Sequence, residues 1–399
     1  MNFDYDVAII GAGPIGSTLA YKLAKEDINV CLIDKKRVIG LPLQCAGIIS
    51  SKIANFNEMP NELILNKVKG ANIFSNSNQL RVAKEDYEAF VIDRVAYDQF
   101  LFDRACKEGV NPYLSSKVTD VDIEKGIIYF SNNAKINQIS SKIIVGADGP
   151  DSIVSSKLGN DFSYFNASQY LVKVDEIQER DFVNVCAKEN LFPGFTWAIP
   201  TYEDIFRVGI FSNHTYKEQL TILNDFLEND FQRIPHKNEH YDYKIIERYA
   251  GKIPIFNKEN LLVNERVIII GDAGSQIKPT TGGGLIIGFK VSEIAKNNIV
   301  KALKEDDINL LNNYHNEFLD SYSKEFSYQF KVQKTLSLLS DNDIDYFFTN
   351  LKEKDCEKLI SEYGEMDNQS SLVKQFLKRG LLLVVLPKLL KKDLIKIWL

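Results

Sequence analysis

The chain has 399 residues, 45% of them hydrophobic and 26% charged, with a formal net charge of -6. That length predicts two or three globular domains with a large buried core, and the acidic balance argues against a general nucleic-acid binder. Cys31, Cys45, Cys106, Cys186 and Cys356 are scattered, with no C-x-x-C pair and no Cys/His cluster; this argues against an iron–sulfur or zinc site and against a disulfide framework, and fits a reducing cytoplasm.

Residues 5–10 predict a first strand, 17–25 a helix and 29–33 a second strand. The opening apolar run, 7–10, is too short for a signal peptide and follows Asp4 and Asp6 rather than basic residues. Between the first strand and the helix stands Gly11-Ala12-Gly13-Pro14-Ile15-Gly16, and Asp34 ends the second strand. A G-x-G-x-x-G in the order strand, turn, helix, strand, acid predicts a dinucleotide site. Gly11 makes the turn, Gly13 lets a pyrophosphate approach the backbone, Gly16 seats the helix on the strand, and Asp34 accepts from ribose hydroxyls.

The turn-rich stretch 40–47 follows, where Cys45 is either a small buried residue or a cofactor contact. Short strands are expected over 67–92. Asp93-Arg94 then opens a helix over 95–107, with Tyr97, Phe100, Leu101 and Ala105 as its core face; chemistry alone favours an ion pair with Asp93 for Arg94. Residues 111–116, 118–123, 126–130 and 134–139 predict a small antiparallel set, and 143–145 a buried strand ended by the turn 146–152. From about 162 to 255 glycine is sparse and aromatic strands dominate, interrupted by a helix over 217–228. Its Phe192, Phe195, Trp197, Phe206 and Phe211 are either plain core or the lining of an apolar pocket for a greasy substrate.

Residues 267–270 predict a buried strand, followed by Gly271-Asp272 and then Gly282-Gly283-Gly284 opening a helix over 286–299. Glycine lets the backbone approach a ligand, and a helix N-terminus offers free N–H groups to negative charge. With Pro14, this second acid-plus-glycine loop points to FAD rather than to a nicotinamide nucleotide, because the ribityl chain and ring of a flavin need a second set of contacts. Helices are expected over 307–336 and 344–363. The tail, 373–399, carries Leu381 to Leu386 and then Lys388, Lys391, Lys392 and Lys396; it is either a helix packed on the body or an amphipathic end that docks on an anionic membrane surface. No segment is long and apolar enough to span a bilayer.

Taken together, these motifs resemble the geranylgeranyl reductase family, within the larger group of FAD proteins shaped like aromatic hydroxylases. The matching stretches are 11–16 with Pro14, 42–47 with Cys45, 93–101, 146–152, Phe195-Thr196-Trp197-Ala198-Ile199-Pro200, and, most specifically, 271–285 with its Pro-Thr-Thr-Gly-Gly-Gly run. The resemblance covers about 1–330. It implies an α/β fold: a Rossmann-like FAD-binding domain (1–70, 92–160 and 256–335), an inserted antiparallel β-sheet substrate domain (71–91 and 161–255) and a helical C-terminal region (336–399).

It further implies FAD contacts from Ile15, Asp34, Cys45, Ala46, Arg94, Val118, Asp272, Gly284 and Leu285, moving Arg94 from ion pair to cofactor ligand. Substrate contacts are implied from Phe195, Trp197, Pro200 and Gly209, with Cys45 a candidate proton donor. Ile199 replaces the family's usual Phe, and Gly209-Ile210-Phe211 replaces its Gly-x-Gly, which puts substrate chain length or headgroup in doubt rather than the flavin. Length and basic tail look most like the archaeal branch, which saturates the geranylgeranyl chains of ether phospholipids such as digeranylgeranylglyceryl phosphate. The partners implied are an isoprenoid ether lipid and an electron donor (ferredoxin, NAD(P)H or a reduced deazaflavin), with no nucleic acid and no metal, in the cytoplasm or peripheral on its membrane face. Two alternatives stand beside this. The segment 194–200 also resembles the Trp-x-Trp-x-Ile-Pro element of flavin-dependent halogenases, which would make the chain a halogenase or monooxygenase acting on an aromatic substrate. The other is an electron-transfer flavoprotein that feeds a membrane quinone.

Overall fold

The computed structural model describes residues 2–234 and 242–381. The basic, apolar end of the tail lies outside the described residues. The fold is α/β and is organised on two large sheets. The path of the first runs Val263–Asn264, Val267–Ile269, Lys135–Gly146, Tyr5–Ile10, Val30–Ile33, Asn111–Tyr113. The four central pairings, from Val267–Ile269 to Asn111–Tyr113, are parallel. Val7 to Ile10, Ile143 to Val145 and Val267 to Ile270 are at most 3% exposed; such continuous β-branched runs belong to strands covered on both faces. Helix Pro14–Ala24 lies between helices Arg94–Lys107 and Leu285–Glu305.

Two expectations are corrected here. Residues 134–139 and 143–145 form one strand, Lys135–Gly146. Its first half pairs antiparallel with Ile127–Asn132, and its second half pairs parallel with Tyr5–Ile10. The polar Ser140-Ser141-Lys142 stretch is a crossing point rather than a break: the Ser141 hydroxyl accepts from the Ala8 N–H at 3.1 Å. Asn111–Tyr113 pairs parallel with Val30–Ile33, so it belongs to the main sheet and not to the antiparallel set.

The second sheet has seven strands, in the order Tyr243–Pro254, Tyr164–Val174, Ile205–Ser212, Phe195–Pro200, Phe182–Cys186, Gly70–Phe74, Gln79–Ala83. Alternation gives it two apolar faces. Tyr170, Val172, Phe206, Val208 and Ile210 pack on Leu223, Phe226, Leu227 and Phe231 of helix Tyr216–Asp225 and the turns after it. Phe165, Trp197, Ile199 and Phe211 turn the other way, toward Ala46, Ile48, Val68, Ala89 and Val91. A three-stranded sheet (Ile48–Ser50, Ala89–Ile92, Ile64–Val68) supplies most of those facing residues.

Beyond Asn312–Leu336, the helix expected over 344–363 is two helices, Asp341–Glu353 and Cys356–Tyr363. Asp355 separates them at φ +53°, a left-handed conformation that no helix interior tolerates. The break lets Cys356 and Leu359 pack with Leu80. It also lets Glu357 and Ser361 accept from the Arg81 and Ala83 N–H groups at 2.6 and 3.1 Å. The last strand of the second sheet is thereby covered rather than left as an open edge.

Phe206 is fully buried and sits edge-on to Phe231 at 5.2 Å between ring centroids. Phe206→Ala is therefore expected to lower unfolding free energy by about 3–5 kcal/mol, read from denaturant unfolding.

Candidate functional site

The glycine loop is shaped by close backbone approach. Gly11 has φ +106°, and a Cβ there would lie 2.2 Å from the Ala147 carbonyl oxygen. A Cβ on Gly16 would lie 2.0 Å from the Gly11 oxygen. Gly13 differs: a Cβ there would meet nothing within 4 Å. It is also the N-cap of helix Pro14–Ala24 and gives no side-chain cap, so the helix presents uncapped N–H groups to that open space. The Asp34 carboxylate accepts from the Ala12 and Lys36 N–H groups at 2.8 and 2.7 Å, which braces it against the loop. Val118 lies two residues beyond Ser116, whose N–H bonds the Asp34 carbonyl at 2.8 Å; its side chain is in the core.

The second glycine loop faces the first. Gly271 and Gly282 both have φ +66°. Helix Leu285–Glu305 starts on Gly284, again without a side-chain cap. By contrast Asp93, Ser152, Thr215 and Ser340 each cap their helices through the side chain. Three later helices, Asn312–Leu336, Cys356–Tyr363 and Ser370–Lys378, also start without a side-chain cap; what sets the two at the predicted loops apart is that their N-caps are glycines, which leave the N–H groups open to an anion.

Ile15 joins the loops. Its side chain comes within 3.5 Å of a Cβ placed on Gly271 and within 2.3 Å of one placed on Gly288. Gly288 was not singled out from the sequence; its signal is a lone glycine one turn into an otherwise apolar helix. Leu285 packs with Ile49, Ile92, Tyr97 and Phe289 behind the helix start. Behind the second loop, Lys278, 4% exposed, donates to the Met366 carbonyl at 2.9 Å and to Asp367 at 3.0 Å, tying the loop to the segment before the last described helix.

Charged side chains converge on the same place. Arg94 grips Asp98, one helical turn on, through two bonds of 3.2 and 3.1 Å. The expected partner, Asp93, instead caps the helix by accepting from the Ala96 N–H at 3.0 Å. Burial works against the Arg94 charge, but Asp98 and the neighbouring Cys45 thiol outweigh it and hold its pKa up. Burial raises the Asp272 carboxyl above the usual carboxylate range, and Arg94 draws it back. One Asp272 oxygen lies 3.2 Å from where a Gly284 Cβ would stand. Successive contacts thus link Cys45 to Arg94, Arg94 to Asp272 and Asp272 to Gly284, with Leu285 next in the chain, while Ile15 brings the first loop, with Gly13 and Asp34, beside Gly271.

The inner face of the second sheet packs against the loop that carries Cys45 and Ala46. A Cβ on Gly209 would meet Trp197 Cζ2 at 2.4 Å, so the indole lies across Gly209. Phe195 meets Trp197 and Phe211 edge-on at 6.1 and 4.9 Å. Pro200 is separated from them: it pairs with Phe206, so strand alternation puts its ring on the opposite face from Phe195 and Trp197. Two polar residues of this apolar face, Gln169 and Arg207, are 5% exposed and reach the loop 45–47. Sequence reasoning missed both; the signal was an arginine inside the apolar strand Ile205–Ser212.

The family model described as lycopene cyclase protein matches residues 6–351. Digeranylgeranylglycerophospholipid reductase 1 of Methanosphaera stadtmanae is 30% identical over 408 aligned positions that cover 98% of this chain and 96% of that one. The corresponding reductase of Methanocaldococcus jannaschii is 28% identical, covering 94% and 98%. Among solved structures, the geranylgeranyl bacteriochlorophyll reductase-like protein of Thermoplasma acidophilum shares the fold at a TM-score of 0.80 and 23% identity, over 94% of this chain and 98% of that one. The chain belongs to the family that this model describes and, with its reductase relatives, to the geranylgeranyl reductases, a family of flavoprotein oxidoreductases.

Proposed function

We propose that the chain is an FAD-dependent reductase that saturates C=C bonds in the geranylgeranyl chains of an archaeal-type ether lipid. The observation that carries the reading is the pair of uncapped, glycine-started helix N-termini brought together through Ile15, beside an aromatic sheet face. The names of the reductase relatives support the lipid class.

FAD fits the residues present. The open space at Gly13 admits a pyrophosphate against the bare helix N-terminus, with Asp34 and Val118 on the adenosine side. Ile15, Cys45, Ala46, Arg94, Asp272, Gly284 and Leu285 would hold the remainder. A flavin held by these residues would supply hydride-transfer chemistry for the alkene. The chain's own part is to bind, orient and keep water out. Isolated alkenes are poor hydride acceptors, so holding one in a fixed pose must supply much of the rate. Phe195, Trp197, Ile199 and Phe211 would provide the apolar wall for that pose, and the half-buried Cys45, next to Ala46 on that wall, is the candidate proton donor. We take 71–91 and 161–255 as the substrate domain on this ground. A lipid substrate favours residence at the cytoplasmic membrane surface, which the basic, apolar tail sequence supports. Among the described residues, no helix is long and apolar enough to cross a membrane.

Two measurements test the reading. Gly13→Val should leave circular dichroism unchanged, because nothing lies within 4 Å of the added Cβ. It should weaken FAD binding about tenfold or more, ~1.4 kcal/mol, in a fluorescence titration. For the substrate, digeranylgeranylglyceryl phosphate is incubated anaerobically with the dithionite-reduced, FAD-loaded protein and analysed by mass spectrometry. A gain of one hydrogen molecule per double bond is expected; no gain from flavin-loaded protein overturns the ether-lipid assignment.

A further inference from the structure

Every main-chain carbonyl of the loop 45–47 is taken by a donor. Gln169 Nε2 donates to the Cys45 oxygen at 3.3 Å, Arg207 Nη1 to the Ala46 oxygen at 2.9 Å, and the Ile92 N–H to the Gly47 oxygen at 2.8 Å. Arg207 Nη1 also donates to the Ile92 carbonyl at 3.1 Å, so one guanidinium spans the loop and the end of strand Ala89–Ile92. Gly47 is fitted to that contact. Its φ is +69°, and a Cβ there would stand 1.9 Å from Arg207 Nη1.

This arrangement is costly. Arg207 is 5% exposed, its Nε has no hydrogen-bond partner, and among the described residues no carboxylate lies within ion-pair distance of it. Burial pushes its pKa down, with Arg94 adding to that and Cys45 and Asp93 opposing. An apolar side chain of similar size would avoid these costs. What it would lack is two hydrogen bonds from a charged donor to main chain on two different segments.

We propose that Arg207 is a positioning residue: it pins the loop 45–47 to the end of strand Ala89–Ile92 and so sets the wall on which cofactor and substrate meet. The inference rests on the reading of that loop as part of the flavin site, but the pinning itself can be measured without flavin. The test is thiol labelling of the full chain, read cysteine by cysteine by mass spectrometry, with and without FAD. Cys31, Cys186 and Cys356 are buried and report the fold, while Cys45 reports the loop. Arg207→Met should label Cys45 about tenfold faster or more, as befits loss of two hydrogen bonds to a charged group. Cys31 and Cys186 should remain protected, and FAD should bind more weakly by a similar factor. Arg207→Lys, which keeps the charge and one donor, should recover part of both effects.

Unchanged Cys45 labelling in a folded Arg207→Met overturns the proposal. Should that variant also expose Cys31 and Cys186, Arg207→Gln decides in the same way: faster Cys45 labelling sustains the proposal and an unchanged rate overturns it. Faster Cys45 labelling in a protein that reduces no lipid leaves the pinning standing and removes the reductase reading.

Discussion

The site depends on one close contact between two helices far apart in sequence. Ile15, in the first turn of Pro14–Ala24, lodges where Gly271 and Gly288 leave no side chain in its way. Because interiors are close-packed, a methyl group at Gly288, 2.3 Å from Ile15, would push the helices apart, whereas one at Gly271 would meet Ile15 at ordinary contact distance. With the contact made, the helices that start bare at Gly13 and Gly284 are held against one another. Each would be a weak anion site alone. Held rigidly together, they offer a long molecule with a charged middle and a planar end two points of attachment separated by a fixed distance.

The second sheet packs beside these loops, and its two faces divide the labour. One face is ordinary core against helix Tyr216–Asp225. The other packs aromatic and aliphatic side chains against Ala46 and the three-stranded sheet, and also carries Gly209, Gln169 and Arg207. Glycine makes room for the Trp197 indole, and the two polar residues seize loop carbonyls. Charge at the site is arranged by the same economy. Arg94 is balanced by Asp98 and still felt by Asp272, whereas Arg207 has no ion-pair partner among the described residues and donates to two main-chain carbonyls. Buried ion pairs are weak sources of stability but strong constraints on geometry. The Lys278–Asp367 pair behind the second loop is another such constraint.

Much of this was legible in the chain itself. The first strand, the glycine fingerprint and Asp34 are local, because the turn and the helix start need only residues within a few positions of one another. The strand at 267–270 and the glycine triplet before the next helix are local in the same sense. Legibility failed where a residue's partner is distant. Asp355 breaks a helix so that Cys356 and Leu359 can reach Leu80, a reason absent from the periodicity of 344–363. The polar crossing at Ser140 to Lys142 looks like a loop until the Ala8 N–H finds Ser141. Arg94 could be assigned an ion pair from sequence, but Asp93 and Asp98 compete, and helix geometry decides for the residue one turn on.

The sequence by itself determined the first strand and its helix, the two glycine loops, the apolar character of the second sheet and the family, because each is written in short-range pattern and composition. Only the tertiary structure decided that Ile15 bridges the loops, that Pro200 turns away from Trp197, and that Gln169 and Arg207 fix the loop 45–47. Those facts depend on which strand pairs with which, and on where a side chain more than a hundred residues away finds a carbonyl without a partner. Alternation along a strand tells which residues share a face; the packing of one sheet against another tells what that face is for.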